Sequence, residues 1–222
     1  MITVFITGVT SIGYSAFKDC SSLTSIVIPD SVTSIGDSAF EDCRGLTSIV
    51  IPNSVTSIGR GAFNGCSSLT SITIPFVGAS KGGTSNTHFG YIFGASSYRD
   101  NSKYVPSGLK TVVITGGTII GGDAFYNCSS LTSIEIPDSV TSIGVDAFSG
   151  TAYYINNNNW VDGVLYIGNH LIKAKSDELS AVYTIRAGTK CIADNAFSNC
   201  SSLTSIVIPD SVTSIGTYEF YG

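Results

Sequence analysis

The sequence predicts a mainly β solenoid of 23-residue coils, with short parallel strands, little helix and two inserts. Three observations carry this. First, apolar landmarks return at a fixed interval: Phe17, Phe40 and Phe63 are 23 residues apart, as are Phe125 and Phe148, and Phe197 and Phe220. A period of 20–50 residues marks a solenoid, propeller or array. Second, helical spacing of apolar residues is not sustained over ~11 residues anywhere in the repeat. Third, 43% of residues are hydrophobic and only 12% charged, against about 25% charged in ordinary soluble domains. The surface must be covered by Ser, Thr, Gly and Asn.

Each element of the coil follows from its residues. Residues 23–43 read LTSIVIPDSVTSIGDSAFEDC, and near copies begin at Leu46, Leu131 and Leu203. The apolar positions are Leu23, Ile26, Ile28, Val32, Ile35, Ala39, Phe40 and Cys43. Residues 23–28 are β-rich and end at Pro29, which has no N–H for a ladder, so they read as a strand. The following Pro-Asp-Ser or Pro-Asn-Ser is turn chemistry: Pro presets φ, and Asp or Asn bonds its own backbone. Residues 32–35 form a second short extended piece. Residues 38–43 read as one helical or 3₁₀ turn before the chain returns. Stacked coils set like residues in parallel ladders. Each buried Leu, Ile or Phe contributes about 1.5–3 kcal/mol. One coil alone buries almost nothing, so stability comes from a stack of eight or nine coils.

The spacing Leu-x-x-Ile-x-Ile, with Pro, Ile-Gly, Ala-Phe and Cys following in register, resembles the leucine-rich repeat. In detail it is most similar to the BspA-like (Treponema pallidum) class, over about three quarters of the chain. The resemblance implies a right-handed leucine-rich-repeat superhelix whose strand face is concave and often binds ligand. It also implies a bacterial cell-surface or secreted protein, with adhesion to host matrix proteins or other cells in some members. It brings no catalytic residues with it. The opening MITVFITGVTSIG lacks a basic flank before a long apolar stretch, so no signal peptide is read in this chain.

The period fails twice. Leu69 and Leu109 both begin strands but lie 40 residues apart, 17 beyond a period. The extra material falls in residues 76–108, an insert rich in aromatics. Phe148 and Phe197 are 49 apart, 26 beyond a period. The second insert, residues 151–181, contains VLYIGNHLIK, which reads as a β-hairpin about a two-residue Gly-Asn turn. The only tryptophan, Trp160, and both histidines, His88 and His170, lie in these inserts. Binding function concentrates in loops on a rigid scaffold, and Tyr, Trp and Arg dominate interface hot spots. Tyr91, Tyr98, Arg99 and Trp160 are therefore candidate contacts, although most such aromatics serve to pack an insert onto its scaffold. The outward strand positions add a hydroxyl face containing Thr24, Thr47 and Thr70, a candidate ligand surface or merely a solvated one.

Other chemistry is weakly represented. Cys20, Cys43, Cys66, Cys128 and Cys200 share an inward position and read as reduced, buried thiols. Cys191 is out of register, in the place of Ser34, and is expected to be more exposed. Neither CxxC pairs nor clustered histidines are present, so no metal or cofactor is expected. Asp30, Asp138 and Asp210 follow Pro, where Asn53 stands in another coil, and read as turn residues. No GxSxG occurs, and GGTIIGG at 116–122 lacks the lysine of a phosphate loop. A net charge of −5 argues against nucleic-acid or anionic-membrane partners. No apolar run reaches the ~18–20 residues of a membrane span. The expected role is a non-enzymatic interaction module for a host-matrix or cell-surface protein. A glycan-binding module and a structural spacer are the alternatives. Exposed terminal strands make an end-to-end homodimer a further expectation.

Overall fold

The computed structural model describes residues 2–221. It is a β-solenoid of about nine turns, about 23 residues apart, with little helix. Two parallel ladders run along it. The first pairs Ile2–Phe5 with Leu23–Val27. It continues as a four-stranded sheet of Ser48–Val50, Ser71–Ile74, Thr111–Ile114 and Ser133–Glu135, and ends as Val182–Thr184 beside Ser205–Val207. The second ladder consists largely of two-residue strands: Ser11–Ile12, Ser34–Ile35 and Ser57–Ile58, then Ile119–Ile120 with Ser142–Ile143, then Cys191–Ile192 with Ser214–Ile215. Like faces like in register, Ser34 on Ser57 and Ile35 on Ile58.

The inward columns form the core. Leu23, Leu46, Leu69, Leu109 and Leu131 are buried, as are Phe40, Phe63, Phe125 and Phe148. Phenylalanine rings of adjacent coils lie nearly parallel, with centroids 5.2 Å apart for Phe17–Phe40 and 5.3 Å for Phe40–Phe63. Strand spacing of ~4.8 Å allows this offset stack, which adds about 0.5–1.5 kcal/mol per pair beyond burial.

Threonine closes the outer side. The Thr33 N–H and its hydroxyl both donate to the Thr10 carbonyl, at 2.8 and 3.1 Å. Thr56 does the same to Thr33 and Thr70 to Thr47, each one coil back. Thr141, Thr204 and Thr213 repeat the arrangement. One carbonyl thus takes two bonds from one residue, which ties each coil to the one before it.

The return segment differs from the helical or 3₁₀ turn expected for 38–43. It is a succession of turns interrupted by two left-handed residues, Ser38 (φ 55°) and Asp42 (φ 56°). The second position is Asp19, Asp42, Gly65, Asn127, Gly150 and Asn199 in successive coils, all with positive φ. Only Gly, Asn and Asp visit that region readily, and two such residues four apart prevent any helical turn from continuing.

Gly36, Gly59, Gly144 and Gly216 form another column. A methyl on Gly36 would sit 2.7 Å from the Tyr14 nitrogen, and one on Gly59 would come closer still to the Asp37 nitrogen. Gly13 occupies the same column in the first coil and has open space around it.

The inserts interrupt the ladders differently: the second ladder breaks at the first insert, and both ladders break at the second. In the first, a 3₁₀ turn at Phe89–Phe93 stands in for a coil return. The Phe63 N–H bonds the Ile92 carbonyl, and the Phe89 N–H bonds that of Ala124. Phe93 meets Phe63, and Phe89 meets Phe125 at 4.8 Å, so the phenylalanine column crosses the insert. Buried Asn101 uses its whole amide: Nδ2 donates to the Ala124 and Tyr126 carbonyls, and Oδ1 accepts from the Gly90 N–H. In the second insert, Val164–Ile167 and His170–Ala174 form the antiparallel hairpin, with Gly168 at φ 56° in its turn. Its second strand then pairs in parallel with Cys191–Ile192 as an abbreviated coil.

Two cysteines depart from expectation. Cys191 is buried, because the hairpin strand lays His170 alongside it. Cys20 is exposed, because it lies in the first coil, where the inward column has a neighbour on one side only. All six cysteines are free. The Cys43 and Cys66 thiols donate to the Phe17 and Phe40 carbonyls, and burial pushes them up to about 11 and about 12.

Two outcomes follow. Gly59→Ala should lose about 1–3 kcal/mol through forced overlap, a fall of several degrees in Tm, while Gly13→Ala leaves Tm unchanged; equal effects would refute the close-approach explanation. Alkylation of the native protein at pH 7.5 should label one thiol rapidly, identified as Cys20 by peptide mass, with the rest appearing only in denaturant.

Candidate functional site

Three surfaces compete. On the first ladder, outward side chains form an apolar column. Phe5 is 75% exposed, its partner Val27 50%, and Val50, one coil on, 62%. Thr73 and Val113 continue the column half-buried, and it ends at exposed Glu135. Beside it stand Thr24, Thr47 and Thr70. The Thr24 and Thr70 hydroxyls donate to the Ile2 and Thr47 carbonyls, so their protons are committed within the fold. These threonines offer a ligand chiefly acceptor lone pairs, and the Val27–Val50 stripe next to them is the more distinctive feature.

The second surface belongs to the first insert. Tyr91 is half-buried against His88 and walls an open groove of about 440 Å³ over the stacked Ser11, Ser34 and Ser57. Burial and the nearby Asp37 raise its hydroxyl above the ordinary tyrosine value. Tyr98 packs edge-on against Tyr126, and the Arg99 guanidinium lies 5.5 Å over the Tyr98 ring. The fold therefore brings Tyr98 and Arg99 together and leaves Trp160 in a separate neighbourhood. There its indole N–H donates to the Tyr154 carbonyl at 2.7 Å, its ring meets Tyr154 edge-on, and Lys175 Nζ lies 4.8 Å from its centroid. Trp160 anchors the second insert.

The third surface is a cleft of about 370 Å³ formed where the first ladder is interrupted. Ser133–Glu135 and Val182–Thr184 do not pair with each other, and the intervening chain supplies most of the walls. Tyr153, Tyr166 and Tyr183 line it with Asn159, Val161, Asp162, Thr184 and Arg186. Tyr166 is the hub. Its hydroxyl is 3.2 Å from that of Tyr183 and accepts the Arg186 backbone N–H at 3.3 Å. Its carbonyl accepts the Tyr153 hydroxyl at 3.0 Å, and its ring carries the Arg186 guanidinium at 4.4 Å. That guanidinium also donates to the Gly168 carbonyl. Burial, and then the bond to Tyr166, drive the Tyr183 hydroxyl well above its usual range, so it stays protonated at all physiological pH. Sequence reasoning passed over all four of these residues. The one available signal was Tyr183, a polar-tipped aromatic in the inward column that Ile206 fills one coil on.

His170 holds the cleft's support in place. It is fully buried, Nε2 contacts the Pro137 carbonyl at 3.1 Å, and Nδ1 has no partner. The bond fixes the neutral tautomer with its proton on Nε2, and burial lowers its pKa. Asn169 at the hairpin turn reinforces the same docking by donating to Asp138 at 2.9 Å. Among the described residues no group of three or more His, Cys, Asp and Glu is placed to hold a metal ion, and no helix is long and apolar enough to cross a membrane.

A family model described as the BspA type leucine rich repeat region matches in six copies over residues 2–82 and 118–222. Among solved structures, the chain is similar to a leucine-rich repeat protein from Bacteroides ovatus, with 26% identity and a TM-score of 0.48, covering 96% of this chain and 44% of that one. It is also similar to a leucine rich cell surface protein from Faecalibacterium prausnitzii, with 28% identity and a TM-score of 0.42, covering 98% and 66%. A T. pallidum leucine-rich repeat protein follows at 20% identity and a TM-score of 0.34, covering 94% and 78%. The chain thus spans less than half the length of the B. ovatus protein. No curated protein matches it.

His170 sets a pH dependence. Its folded pKa is depressed, so above the unfolded value of ~6.5 it is neutral in both states and costs nothing. Below that value the unfolded chain takes up a proton that the folded one resists, and stability falls as pH drops. Tm should therefore decline between about pH 6.5 and 5 more steeply in the wild type than in His170→Gln, whose amide retains a donor toward Pro137. Parallel Tm profiles would show that His170 carries none of the slope.

Proposed function

The chain belongs to the BspA-type leucine-rich repeat family, and from that premise we propose that it is a non-enzymatic interaction module of a bacterial surface or secreted protein, binding a protein of a host or neighbouring cell. The observation that carries the reading is the Phe5–Val27–Val50 column. Three large apolar side chains stand exposed in consecutive coils along the first ladder, with Thr24, Thr47 and Thr70 beside them. Contiguous exposed apolar surface with a polar rim is the usual signature of a protein contact, and interface cores are depleted of charge. The solenoid supplies a rigid backing, so little ordering entropy is lost on binding. Tyr98 with Arg99, and Tyr91 above its groove, are secondary contacts in this reading.

A spacer role has an observation in its favour as well, since the threonine hydroxyl protons are spent within the stack. Binding of the purified chain to immobilised fibronectin and fibrinogen separates the two. The interaction reading expects saturable binding that persists in high salt, because it rests on apolar contact rather than on charge. The double variant Val27→Asp, Val50→Asp should weaken it about tenfold or more while circular dichroism shows the fold retained. Absence of binding to these and to a panel of host-cell surface proteins would favour the spacer.

A further inference from the structure

We propose that the cleft around Tyr166 is a carbohydrate subsite that seats a neutral pyranose unit of a glycan, separate from the apolar column. Four properties of the cleft point to this ligand class.

The walls are fixed before any ligand arrives. Tyr166 holds the Tyr153 and Tyr183 hydroxyls and both the backbone and the guanidinium of Arg186. Asn159 is held in turn, its amide nitrogen donating to the Tyr153 carbonyl at 2.8 Å. Preorganisation of this kind lowers the entropy lost when a ligand binds. The volume, about 370 Å³, falls within the ~300–1,000 Å³ of small-ligand sites.

The chemistry is mixed in the way a sugar requires. A pyranose presents an apolar face of C–H groups and a rim of hydroxyls that both donate and accept. The tyrosine rings and exposed Val161 offer surface for the face. Asp162 and the free Asn159 oxygen accept, the remaining Arg186 N–H groups donate, and the Thr184 hydroxyl does either.

The charge is balanced. One carboxylate, Asp162, and one guanidinium, Arg186, line the cleft, and Arg186 already spends part of its capacity on Gly168 and the Tyr166 ring. A phosphate or sulfate site would hold a surplus of basic groups, and a lipid site would lack the polar rim.

The placement is also unusual for a structural feature. Tyr183 stands in an inward column otherwise filled by isoleucine or valine, Ile72, Val112, Ile134 and Ile206 among them. An isoleucine there would pack the coil without a hydroxyl to place. Tyrosine instead lifts a polar tip out of the core into contact with Tyr166.

The test uses the full chain on an array of neutral, sialylated and sulfated glycans, followed by calorimetry with the soluble form of each neutral hit. Asp162→Asn and Thr184→Ala are the informative variants. Both residues are exposed, and asparagine tolerates the positive φ of Asp162 as aspartate does, so neither change should alter Tm. The expected result is binding to neutral glycans that is insensitive to salt and weakened about tenfold by Asp162→Asn, as loss of one charge-assisted hydrogen bond predicts. It should survive in Val27→Asp, Val50→Asp, which removes only the protein-binding surface. No neutral glycan bound at millimolar concentration, binding confined to sulfated or sialylated glycans, or binding that neither cleft variant changes would each overturn the proposal. Cleft-dependent binding of an unglycosylated protein would overturn it in favour of a peptide ligand.

Discussion

Everything in this molecule depends on laying one coil on the next at the spacing of a β-ladder. That distance is set by backbone hydrogen bonds, and each column must accept it. Phenylalanine accepts it by stacking its rings 5.2–5.3 Å apart. Glycine is needed wherever the backbone of one coil passes against the nitrogen of another. Threonine reaches back along the same direction and doubles the bond already made by its own N–H. A single coil has none of these partners, so its residues make sense only in the stack.

The inserts obey the same constraint. The first adds chain without opening a break in the core, because Phe89–Phe93 occupies the place of a coil segment; at the second, His170–Ala174 replaces a coil segment and the buried residues divide into two clusters along it. What the second insert does not restore is the first ladder, and the tyrosine cleft lies at that interruption. The site thus arises from a local failure of the repeat, bordered on both sides by regular structure that holds it rigid.

The period, the strand ending at Pro29, the second short strand and the Gly-Asn hairpin were all legible in the sequence, since each rests on local chemistry. The return segment was misread. The Asp, Gly and Asn column ahead of each cysteine marks left-handed backbone, but residues 38–43 considered one coil at a time look like a short helix. Column position alone does not set the burial of Cys20 and Cys191. The edge of the stack exposes the first, and the hairpin covers the second. The cleft was harder still. Tyr153, Tyr166 and Tyr183 are separated by up to 30 residues, and only the way the hairpin docks on Pro137 and Asp138 brings them together. Trp160, the conspicuous residue of that insert, turned out to anchor it.

The last coil contains one exception to the alanine column. Glu219 stands where Ala39, Ala62, Ala124, Ala147 and Ala196 stand in other coils. Its carboxylate is buried, takes the Ala196 N–H at 3.0 Å, and is pushed up to about 7 by burial. An alanine at that place offers no side-chain acceptor, so the Glu219 carboxylate ties its coil to the one before it in a way the other coils do not. That bond couples the charge state of one side chain to the seating of a coil, a coupling no alanine of the column can make.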